Sequence, residues 1–412
     1  MRYKIFDNVP ANWNVCAVED VCEINPTQIG KDYPYSVIEY IDISSVSPRR
    51  LESVQVLPLK AAPSRAKRIV QDGDTIISTV RPNRRSFLYI KGAKPNTVVS
   101  TGFAVIRPRD IDSRYAHYVL TSDPFIEHLT ANATGSAYPA VSPEIIAKTL
   151  IPLPPKDEQK RIGEILGALD DKIELNHRMN RTLEAIARAI FKSWFVDFEP
   201  FRDGEFVDSD LGPIPKGWEV KLFSDCVEIL SGGTPKTSVL EYWGGDIPWV
   251  SAKDASASRN IYIVETEKSI TKAGVENSAT QILPQNTTII TARGTVGKIV
   301  LTSKPMAMNQ SCYAVRGKEG FTPSFIHFSL RQLVDQLKQK VHGTVFDTIT
   351  RSTFSTLKVL VPPKEIRAKY ETVVETIMDQ ILVNTSECCY LARIRDDLLP
   401  KLLSGKTWAG GG

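Results

Sequence analysis

The chain has 412 residues, 42% of them hydrophobic and 24% charged, with a formal net charge of +4 at pH 7. This length predicts two or three domains of about 150 residues, and the globular balance excludes disordered, collagenous and disulfide-scaffold proteins. The six cysteines form no C-x-x-C pair and no run of about 18 apolar residues occurs, so we expect no zinc framework, no membrane span and a cytoplasmic protein with reduced thiols.

The first 150 residues combine short β-rich runs with turn signals. Residues 74–80 and 97–106 are rich in β-branched residues, and Asp72-Gly73 marks the turn before the first run. A helix is predicted near residues 112–130 and a strand at Thr149–Leu153. This part is therefore predicted to be an α+β domain.

A long helix is predicted to follow this domain. Pro154-Pro155 ends the preceding strand and restricts the backbone where the helix begins. Apolar residues and one asparagine then recur every seven positions, at Ile162, Leu169, Asn176, Leu183 and Ile190. This heptad pattern is typical of a coiled coil, and about 40 helical residues would span roughly 60 Å as a spacer.

The second half repeats this order with a period near 208. Residues 135–195 align with residues 343–403 without a gap. The second half again has β-rich runs, at 286–291 and 298–302, then a helix near 323–341 and a strand at 357–361. In the β-rich parts, Ile77, Thr79 and Arg81 align with Ile289, Thr291 and Arg293, whereas residues 234–285 have little counterpart.

The second long helix carries its own heptad of Tyr370, Ile377, Asn384, Leu391 and Leu398. Each seam has one asparagine near its middle. An antiparallel coiled coil would bring Asn176 and Asn384 together, and a buried asparagine pair fixes helix register at a cost in stability. The alternative is that each asparagine is partly exposed at the edge of the seam.

Charge is unevenly distributed along the sequence. Residues 49–94 hold eleven Lys and Arg against three acids, a balance of +8, and residues 277–318 hold five and none, a balance of +5. Residues 197–217, between them, hold six acids against two bases, a balance of −4. Two basic segments indicate two surfaces for an anionic partner such as nucleic acid, although solvated loops would give the same pattern.

Several motifs together resemble the DNA-specificity subunits of type I restriction–modification systems. The segment 152–162 (PLPPKDEQKRI), followed by 169–173 (LDDKI), resembles the central conserved region of that family, as does 191–198 (FKSWFVDF). The segments 231–235 (SGGTP) and 242–249 (YWGGDIPW) resemble the opening of one class of target-recognition domain. The second helix departs from the pattern, because residues 365–367 are EIR where the first helix has DEQ.

The resemblance implies a division into two target-recognition domains and two conserved helices that pair antiparallel. The expected segments are a first recognition domain at 1–152, a first spacer helix at 153–198, an acidic linker at 199–212, a second recognition domain at 213–361 and a second spacer helix at 362–405. It also implies assembly on double-stranded DNA with two adenine-methyltransferase subunits and optionally with ATP-driven restriction subunits. S-adenosylmethionine, ATP and Mg are expected on those partners, and no cofactor is expected in this chain.

No catalytic motif of a self-sufficient enzyme is complete in the sequence. The nearest match to the N-P-P-aromatic loop of adenine methyltransferases, Asn25-Pro26-Thr27, lacks the second proline and the aromatic residue. Residues 293–298 approach a phosphate-binding loop, but Ala292 stands where its first glycine is required. We therefore expect neither a catalytic residue nor a metal ligand, and we expect His117 and His327, at matching repeat positions, to serve helix packing or capping.

Lysines and arginines would bind DNA phosphates, whereas arginine, lysine and amide side chains would read base edges. Surface ion pairing and turn capping are the alternatives for the same residues. The candidates in the first half are Arg81, Asn83, Arg84 and Arg85 in one loop and Arg49, Arg50, Arg65, Lys67 and Arg68 in the segment before it. The candidates in the second half are Arg293, Thr295, Lys298, Asn309 and Gln310, with Lys236, Lys253 and Arg259 in the unmatched stretch.

The aromatic cluster Phe191, Trp194 and Phe195 is a candidate docking site for a methyltransferase subunit, with packing onto the second domain as the alternative. Taken together, the sequence predicts a non-catalytic chain that reads a bipartite, asymmetric DNA site with one domain per half-site. The alternative function is a scaffold of the same duplicated architecture that does not read DNA.

Overall fold

A computed structural model describes residues 2–6, 9–318, 320–340 and 348–406. The chain divides into two compact units, unit 1 (Met1–Asp171 with Leu391–Gly412) and unit 2 (Lys172–Tyr390). The two long helices, α5 (Lys156–Phe195) and α11 (Lys364–Leu403), each contribute residues to both units. The compact units therefore divide the predicted spacer helices instead of leaving them as separate segments.

The described part of unit 1 has three sheets of three or four strands, together with the two-stranded pair of β5 and β6. Their strand orders are β10-β9-β12-β3, β7-β4-β11-β8 and β1-β13-β2. The strands are β1 (Tyr3–Lys4), β2 (Asn14–Ala17), β3 (Cys22–Ile24), β4 (Val37–Ile41), β5 (Val46–Ser47), β6 (Arg50–Leu51), β7 (Gln55–Pro58), β8 (Ala66–Ile69), β9 (Thr75–Ser78), β10 (Phe87–Tyr89), β11 (Thr97–Ser100), β12 (Phe103–Pro108) and β13 (Thr149–Leu153). The helices before α5 are α1 (Val18–Val21), α2 (Ser113–Leu120), α3 (Asp123–Ala131) and α4 (Pro143–Lys148).

Unit 2 has a closely related arrangement. Its larger sheets have the orders β17-β24-β21-β22-β19 and β20-β18-β23, and β16 pairs with β25. The strands are β14 (Phe206–Val207), β15 (Ile214–Pro215), β16 (Glu219–Leu222), β17 (Val227–Ser231), β18 (Trp243–Val250), β19 (Tyr262–Ile263), β20 (Lys268–Ile270), β21 (Thr288–Thr291), β22 (Ile299–Thr302), β23 (Ala307–Met308), β24 (Cys312–Gly317) and β25 (Lys358–Val361). The helices before α11 are α6 (Phe223–Cys226), α7 (Ala252–Ala257), α8 (Lys272–Glu276), α9 (Pro323–Lys340) and α10 (Arg351–Thr356).

The hydrogen-bond register of the sheets corrects the alignment of the two β-rich halves. In each unit one residue of a central strand, β12 in unit 1 and β24 in unit 2, pairs with a residue on each of its two neighbouring strands. Once one pair of neighbouring strands is aligned between the units, the alignment of the other pair follows. The residue pairs are Ile106 with Ile24 and Thr75 in unit 1, and Val315 with Ile229 and Thr288 in unit 2. The short helices α1 and α6 directly precede β3 and β17, so Cys22 matches Val227 and Ile24 matches Ile229. Thr75 therefore matches Thr288.

The sequence alignment of this strand was therefore wrong by one residue. Ile77 matches Ile290 and not Ile289, so Arg81 and Arg293 do not share a repeat position. A one-residue shift normally moves apolar side chains to the wrong face of a strand. All four residues of β9 and all four of β21 are buried, and each strand has one isoleucine on each face, so the hydrophobic pattern does not report the register.

Residues 234–285 have a structural counterpart, contrary to the sequence expectation. Strand β18 lies between antiparallel β20 and parallel β23, as β4 lies between antiparallel β7 and parallel β11. The two small sheets are filled by different side chains, among them Trp249 and Ile270 in unit 2 and Ile38 and Tyr40 in unit 1. Because different side chains pack these two sheets, the shared topology is not visible as sequence similarity.

The helix predicted near residues 112–130 is interrupted. Helix α2 ends before Thr121, and α3 begins after Ser122 with Pro124 in its first turn, where a proline needs no hydrogen-bond acceptor. The corresponding helix of unit 2, α9, is continuous.

A buried polar side chain holds the start of each long helix. Gln159 donates from Nε2 to the carbonyl of Pro154 (2.7 Å), and its Oε1 accepts the backbone N–H of Asp112. At the matching position of α11, Arg367 donates from Nε to the carbonyl of Pro362 (3.2 Å). The departure of the second helix from the family pattern thus preserves a hydrogen bond to the first proline of the Pro-Pro pair.

The buried positions of the long helices are spaced by eleven residues in some places and by seven in others, as with Val374, Ile381 and Cys388 in α11. In α5, Asn180 and Phe191 are buried eleven residues apart, and in α11 the same holds for Tyr370 and Ile381. An eleven-residue repeat corresponds to 3.67 residues per turn, close to the period of a straight helix. The predicted heptads, which include the half-buried Leu183 and Ile377, therefore describe the buried faces of these helices only in part.

The predicted contact between Asn176 and Asn384 was wrong by one helical turn. Asn384 donates from Nδ2 to Oδ1 of Asn180 (3.0 Å), and Asn180 donates to Oγ1 of Thr385 (3.1 Å). Asn176 instead donates to Oε2 of Glu387 (2.7 Å). These contacts lie within unit 2 and show the two helices running in opposite directions.

We predict that Asn180→Ala destabilises unit 2 more than Asn176→Ala does. Asn180→Ala leaves the buried amide of Asn384 without its acceptor, at about 2 kcal/mol, or about 4–8 °C in Tm for a unit of this size. Asn176→Ala releases Glu387, which reaches solvent, and should cost less than about 1 kcal/mol. Thermal unfolding of both variants measures the two losses of stability. Equal falls in Tm would contradict the observed register.

Candidate nucleic-acid interface

The loop after strand β9 carries the predicted cluster of cations in unit 1. Residues Pro82–Arg84 form a single 3-10 turn, flanked by Arg81 and Arg85 in the left-handed conformation with φ of 49° and 57°. Non-glycine residues rarely adopt this conformation, and it persists where the surroundings fix it. Asn83 and Arg84 are exposed at the turn and are free to face a ligand.

The two arginines that flank the turn are engaged within unit 1. Arg81 donates to the carbonyl of Ala137 (2.8 Å) and lies 4.6 Å from the ring centroid of Tyr138. Arg85 forms an ion pair with Asp123 (2.6 Å). Of the four predicted loop residues, Arg84 and Asn83 therefore have exposed side chains without a described partner in unit 1, whereas Arg81 and Arg85 shape the loop.

Arg49 does not fit the prediction of a phosphate contact. Its side chain is only 12% exposed, its guanidinium lies 5.2 Å from the ring of Phe87, and its Nε is 4.0 Å from a carboxylate oxygen of Asp170. Burial lowers the pKa of this guanidinium. A basic segment in the sequence does not distinguish a solvated arginine from one that is buried against an aromatic ring and a carboxylate.

The rest of this basic segment is mixed. Arg65 and Lys67 are exposed, one on each side of buried Ala66 in β8, and remain suitable for phosphate contacts. Arg68 is half-buried and donates to the carbonyl of Phe103, and burial lowers its pKa. Arg50 lies 3.8 Å from Glu52 and is partly buried. Of the five predicted residues in this segment, Arg65 and Lys67 are therefore the accessible ones.

In unit 2 the loop between β21 and β22 exposes Arg293 and Thr295. Lys298, at its end, is half-buried and lines a cavity of about 160 Å³ that also borders Glu184 and Arg331. Burial lowers the pKa of the Lys298 ammonium and raises the pKa of the Glu184 carboxyl. Lys298 therefore belongs to an internal polar cluster, and the exposed part of this loop is Arg293 and Thr295.

The neighbouring residues Asn309 and Gln310 have different surroundings. The Oδ1 of Asn309 accepts the backbone N–H of Ser311 (3.1 Å), so Asn309 caps a turn, which was the alternative to base reading. Gln310 is exposed and accepts a hydrogen bond from the hydroxyl of Thr234. Only Gln310 is therefore presented to solvent, and the sequence analysis missed its contact with Thr234.

The glycines of the 231–235 motif allow this contact. A Cβ on Gly232 would lie 2.1 Å from the carbonyl oxygen of Asn309, and one on Gly233 would lie 2.5 Å from the nitrogen of Thr280. Two side-chain-free residues thus let the segment before Thr234 pass close to the neighbouring backbone. The motif predicts this approach only once the strand topology is known.

The candidates in residues 234–285 are all exposed. Lys253 forms an ion pair with Glu267 (2.6 Å), whereas Lys236 lies in the segment that follows the glycines. Arg259 borders the cavity next to Lys298. Lys236 is therefore the best placed of the three to meet an external anion.

The aromatic cluster is packed inside unit 2. Phe191 and Phe195 are about 5% exposed and contact Phe325 and Tyr370, and Trp194 packs at 6.0 Å from the ring of Tyr370. The burial of Phe191 and Phe195 favours the alternative of packing onto the second domain, whereas Trp194 is only partly buried. Their spacing placed them on the apolar face of α5, which unit 2 covers.

Two buried histidines occupy matching positions in helices α2 and α9. His117 lies 3.3 Å from the hydroxyl of Thr75, and burial lowers the pKa of His117 well below its usual value. Burial also lowers the pKa of His327 to about 3. Within the described part of the chain, no group of three or more His, Cys, Asp or Glu side chains is placed to hold a metal ion.

Comparison with known proteins matches residues 10–185 and 215–385 to a family model described as the type I restriction modification DNA specificity domain. The HindI specificity subunit of Haemophilus influenzae is 28% identical, with 90% of this chain and 95% of the relative aligned. The MjaIX specificity subunit of Methanocaldococcus jannaschii is 27% identical, with 97% and 94% aligned.

Among solved structures, the S subunit of a type I restriction–modification system from M. genitalium superposes with a TM-score of 0.59. It is 15% identical, and the superposition covers 97% of this chain and 98% of that one. This similarity supports a shared fold. No helix in the described ranges has both the length and the apolar composition that crossing a membrane would require.

We predict that Arg84→Ala and Arg49→Ala affect different properties of the full chain. Arg84→Ala should leave Tm within about 1 °C and reduce the slope of log affinity for duplex DNA against log salt by about 0.9, the value of one lost phosphate contact. Arg49→Ala should lower Tm by several degrees, since it removes a buried group from its aromatic and carboxylate neighbours. Anisotropy titrations at several salt concentrations and thermal unfolding provide the readouts. A changed salt slope in Arg49→Ala with unchanged Tm would contradict the structural assignment.

Proposed function

The chain belongs to the type I restriction modification DNA specificity family and serves DNA target recognition, and on this premise we propose that each of its units reads one half of a bipartite, asymmetric site. The family model matches twice in tandem, once in each unit. A single unit would be expected to read one contiguous sequence. Two units of different loop composition can read two different half-sites.

The observation that supports this proposal is the shared topology with different exposed groups. The strand order β10-β9-β12-β3 of unit 1 recurs in unit 2 as β22-β21-β24-β17. The loop after β9 exposes Asn83 and Arg84 in unit 1, whereas the loop after β21 exposes Arg293 and Thr295 in unit 2. A rigid scaffold that presents variable loops is the usual arrangement for recognition, and these side chains can contact phosphates and base edges.

We assign the two long helices the role of a spacer that pairs as an antiparallel coil. Cross-helix contacts support this role, because Asn180 meets Asn384 and Asn176 meets Glu387 within unit 2, and Asp170 pairs with Arg395 (2.5 Å) within unit 1. The sum of the two residue numbers stays between 563 and 565 at all three contacts, as a constant antiparallel register requires. The buried pair of Asn180 and Asn384 is of the kind that specifies register.

We further propose that the helices dock two adenine-methyltransferase subunits. Apolar side chains remain exposed on both helices in unit 2, including Leu175, Met179 and Ile186 on α5 and Val383 and Tyr390 on α11. The three on α5 are four and seven residues apart and so share one face. This face replaces the buried aromatic cluster as the docking surface in our proposal.

In this proposal the partner subunits carry out the catalytic steps. Methyl transfer, with S-adenosylmethionine, would belong to the methyltransferase subunits, and ATP and Mg to restriction subunits where those are present. This chain would then act as a non-catalytic subunit in the cytoplasm, where the complex reaches cellular DNA. A scaffold without DNA reading is not favoured, since both units match the specificity domain.

Base-resolution methylation sequencing tests the proposal. DNA from cells that hold the partner methyltransferase should carry a methyladenine motif only when this chain is also expressed, and the motif should consist of two half-sites with a fixed nonspecific gap. Cells expressing the methyltransferase alone provide the control. A continuous motif, or one independent of this chain, would overturn the assignment.

A further inference from the structure

We propose that Tyr138 is a wedge that stacks on a base of the half-site read by unit 1, held in place by Arg81. This inference rests on the proposed function and adds a mode of contact to it. Single exposed aromatic residues are common on protein surfaces and carry no meaning alone. Three further observations point to this one as a ligand contact.

The first observation is the exposure and support of the ring. Tyr138 is 71% exposed, although it lies in a loop that is hydrogen-bonded to the rest of unit 1. The guanidinium of Arg81 lies 4.6 Å from its ring centroid and donates to the carbonyl of Ala137. One face of the ring is thus supported by a planar cation, while much of the ring remains open to solvent.

The second observation is that two loops are joined at this point. The N–H of Arg81 donates to the carbonyl of Pro139 (2.7 Å), and Thr134 and Ala140 exchange backbone hydrogen bonds of 2.9 Å. Gly135, at φ 105°, allows the tight turn between them. The loop is therefore braced on both sides of Tyr138, which reduces the conformational entropy lost when the ring contacts a ligand.

The left-handed backbone of Arg81 fits the same interpretation. This conformation carries a steric cost for a residue with a Cβ, and such costs concentrate at binding sites. It places the Arg81 side chain against Tyr138 and its N–H against Pro139 at the same time. Arg81 is therefore a positioning residue for Tyr138, whereas exposed Arg84 and Asn83 in the next turn supply charge and hydrogen bonding.

The third observation comes from the repeat. In the ungapped alignment of 135–195 with 343–403, Gly135 corresponds to Gly343 and Tyr138 to Phe346. An aromatic residue therefore occurs three positions after the glycine in both halves of the sequence. Phe346 lies outside the described residues, so the inference concerns Tyr138 alone.

An aromatic ring flanked by cations on a DNA-reading surface has a recognised use. Aromatic side chains stack on the π-faces of bases, and wedges inserted at a base step unstack and bend the duplex. The nearby positive charge of Arg84 would hold the phosphates beside such a step. The ligand class is therefore a partly unstacked base of duplex DNA.

The experiment uses the full chain with its partner methyltransferase and begins with selection from a random duplex pool. If the wild-type complex selects no motif, the proposed function fails, and the wedge fails with it. If a motif is found, duplexes of that sequence are made with 2-aminopurine at successive positions. The wedge predicts a rise of fluorescence at one step of one half-site on binding.

Three variants separate a stacking role from a structural one. Tyr138→Ala should abolish the fluorescence rise and weaken specific binding about tenfold, with unchanged Tm because the side chain is exposed. Tyr138→Phe should retain both signals, and Arg81→Lys, which keeps the charge but not the planar support, should reduce the rise. Tyr35→Ala, at another exposed tyrosine of unit 1, is the matched control.

The outcomes distinguish the two levels of the account. A Tyr138→Ala complex that keeps the fluorescence rise and the affinity of the wild type overturns the wedge and leaves the proposed function intact. Loss of binding in Tyr138→Ala together with a fall in Tm would also overturn it, since the role would then be structural. Equal losses in Tyr35→Ala would likewise contradict a specific contact.

Discussion

The architecture depends on apolar burial of both long helices in the core of each unit. In unit 1, Ile162 and Leu166 from α5 share the core with Leu399, Leu402 and Leu403 from α11. In unit 2, Phe191 and Phe195 from α5 share the core with Tyr370 and Val374 from α11. Each such side chain contributes about 1.5–3 kcal/mol of burial, so neither unit is complete without residues from both helices. A specificity subunit built this way cannot lose one helix without exposing the core of each unit.

Polar residues within this apolar seam provide specificity rather than stability. A hydrogen bond such as that between Asn180 and Asn384 contributes about 1 kcal/mol net, less than a well-packed leucine pair would. Its value is that a shifted register would leave buried amides unpaired, and an unpaired buried amide costs about 1–3 kcal/mol. The partly buried ion pair of Asp170 with Arg395 adds a second cross-helix contact of the same register within unit 1. A protein that presents two reading surfaces benefits from one allowed register, which explains why polar groups occur in the seam.

The sequence predicted the elements better than their register. The Pro-Pro pairs, the ungapped repeat and the apolar spacing located both long helices, because these signals are local. The partner of Asn384 could not be predicted from spacing, because Asn176 and Asn180 lie one turn apart on the same buried face of α5. The one-residue error at Ile77 has a similar origin, because a strand buried on both faces contains no periodicity that marks its register.

The candidate site was predictable in composition but not in accessibility. The basic segments include loops that the structure exposes, yet Arg49 and Lys298 are partly buried. Long side chains of this type can be covered by neighbours that only the tertiary structure brings near. Phe191 and Phe195 were predicted to be accessible to a partner, but these apolar residues are buried in the core of unit 2. Tyr138 was missed because one aromatic residue in a Ser-Ala-Tyr-Pro stretch has no signal until Arg81 is seen beside it.

The central claim is that each unit reads its own half-site, and the most direct measurement compares the methylated motif of two matched variants. Arg84→Ala changes an exposed arginine of unit 1, and Arg293→Ala changes one of unit 2. Methylation sequencing of cells with each variant and the partner methyltransferase should show relaxed or lost sequence preference in one half-site with Arg84→Ala and in the other with Arg293→Ala. Relaxation of the same half-site by both variants, or of both half-sites by each, would contradict the account.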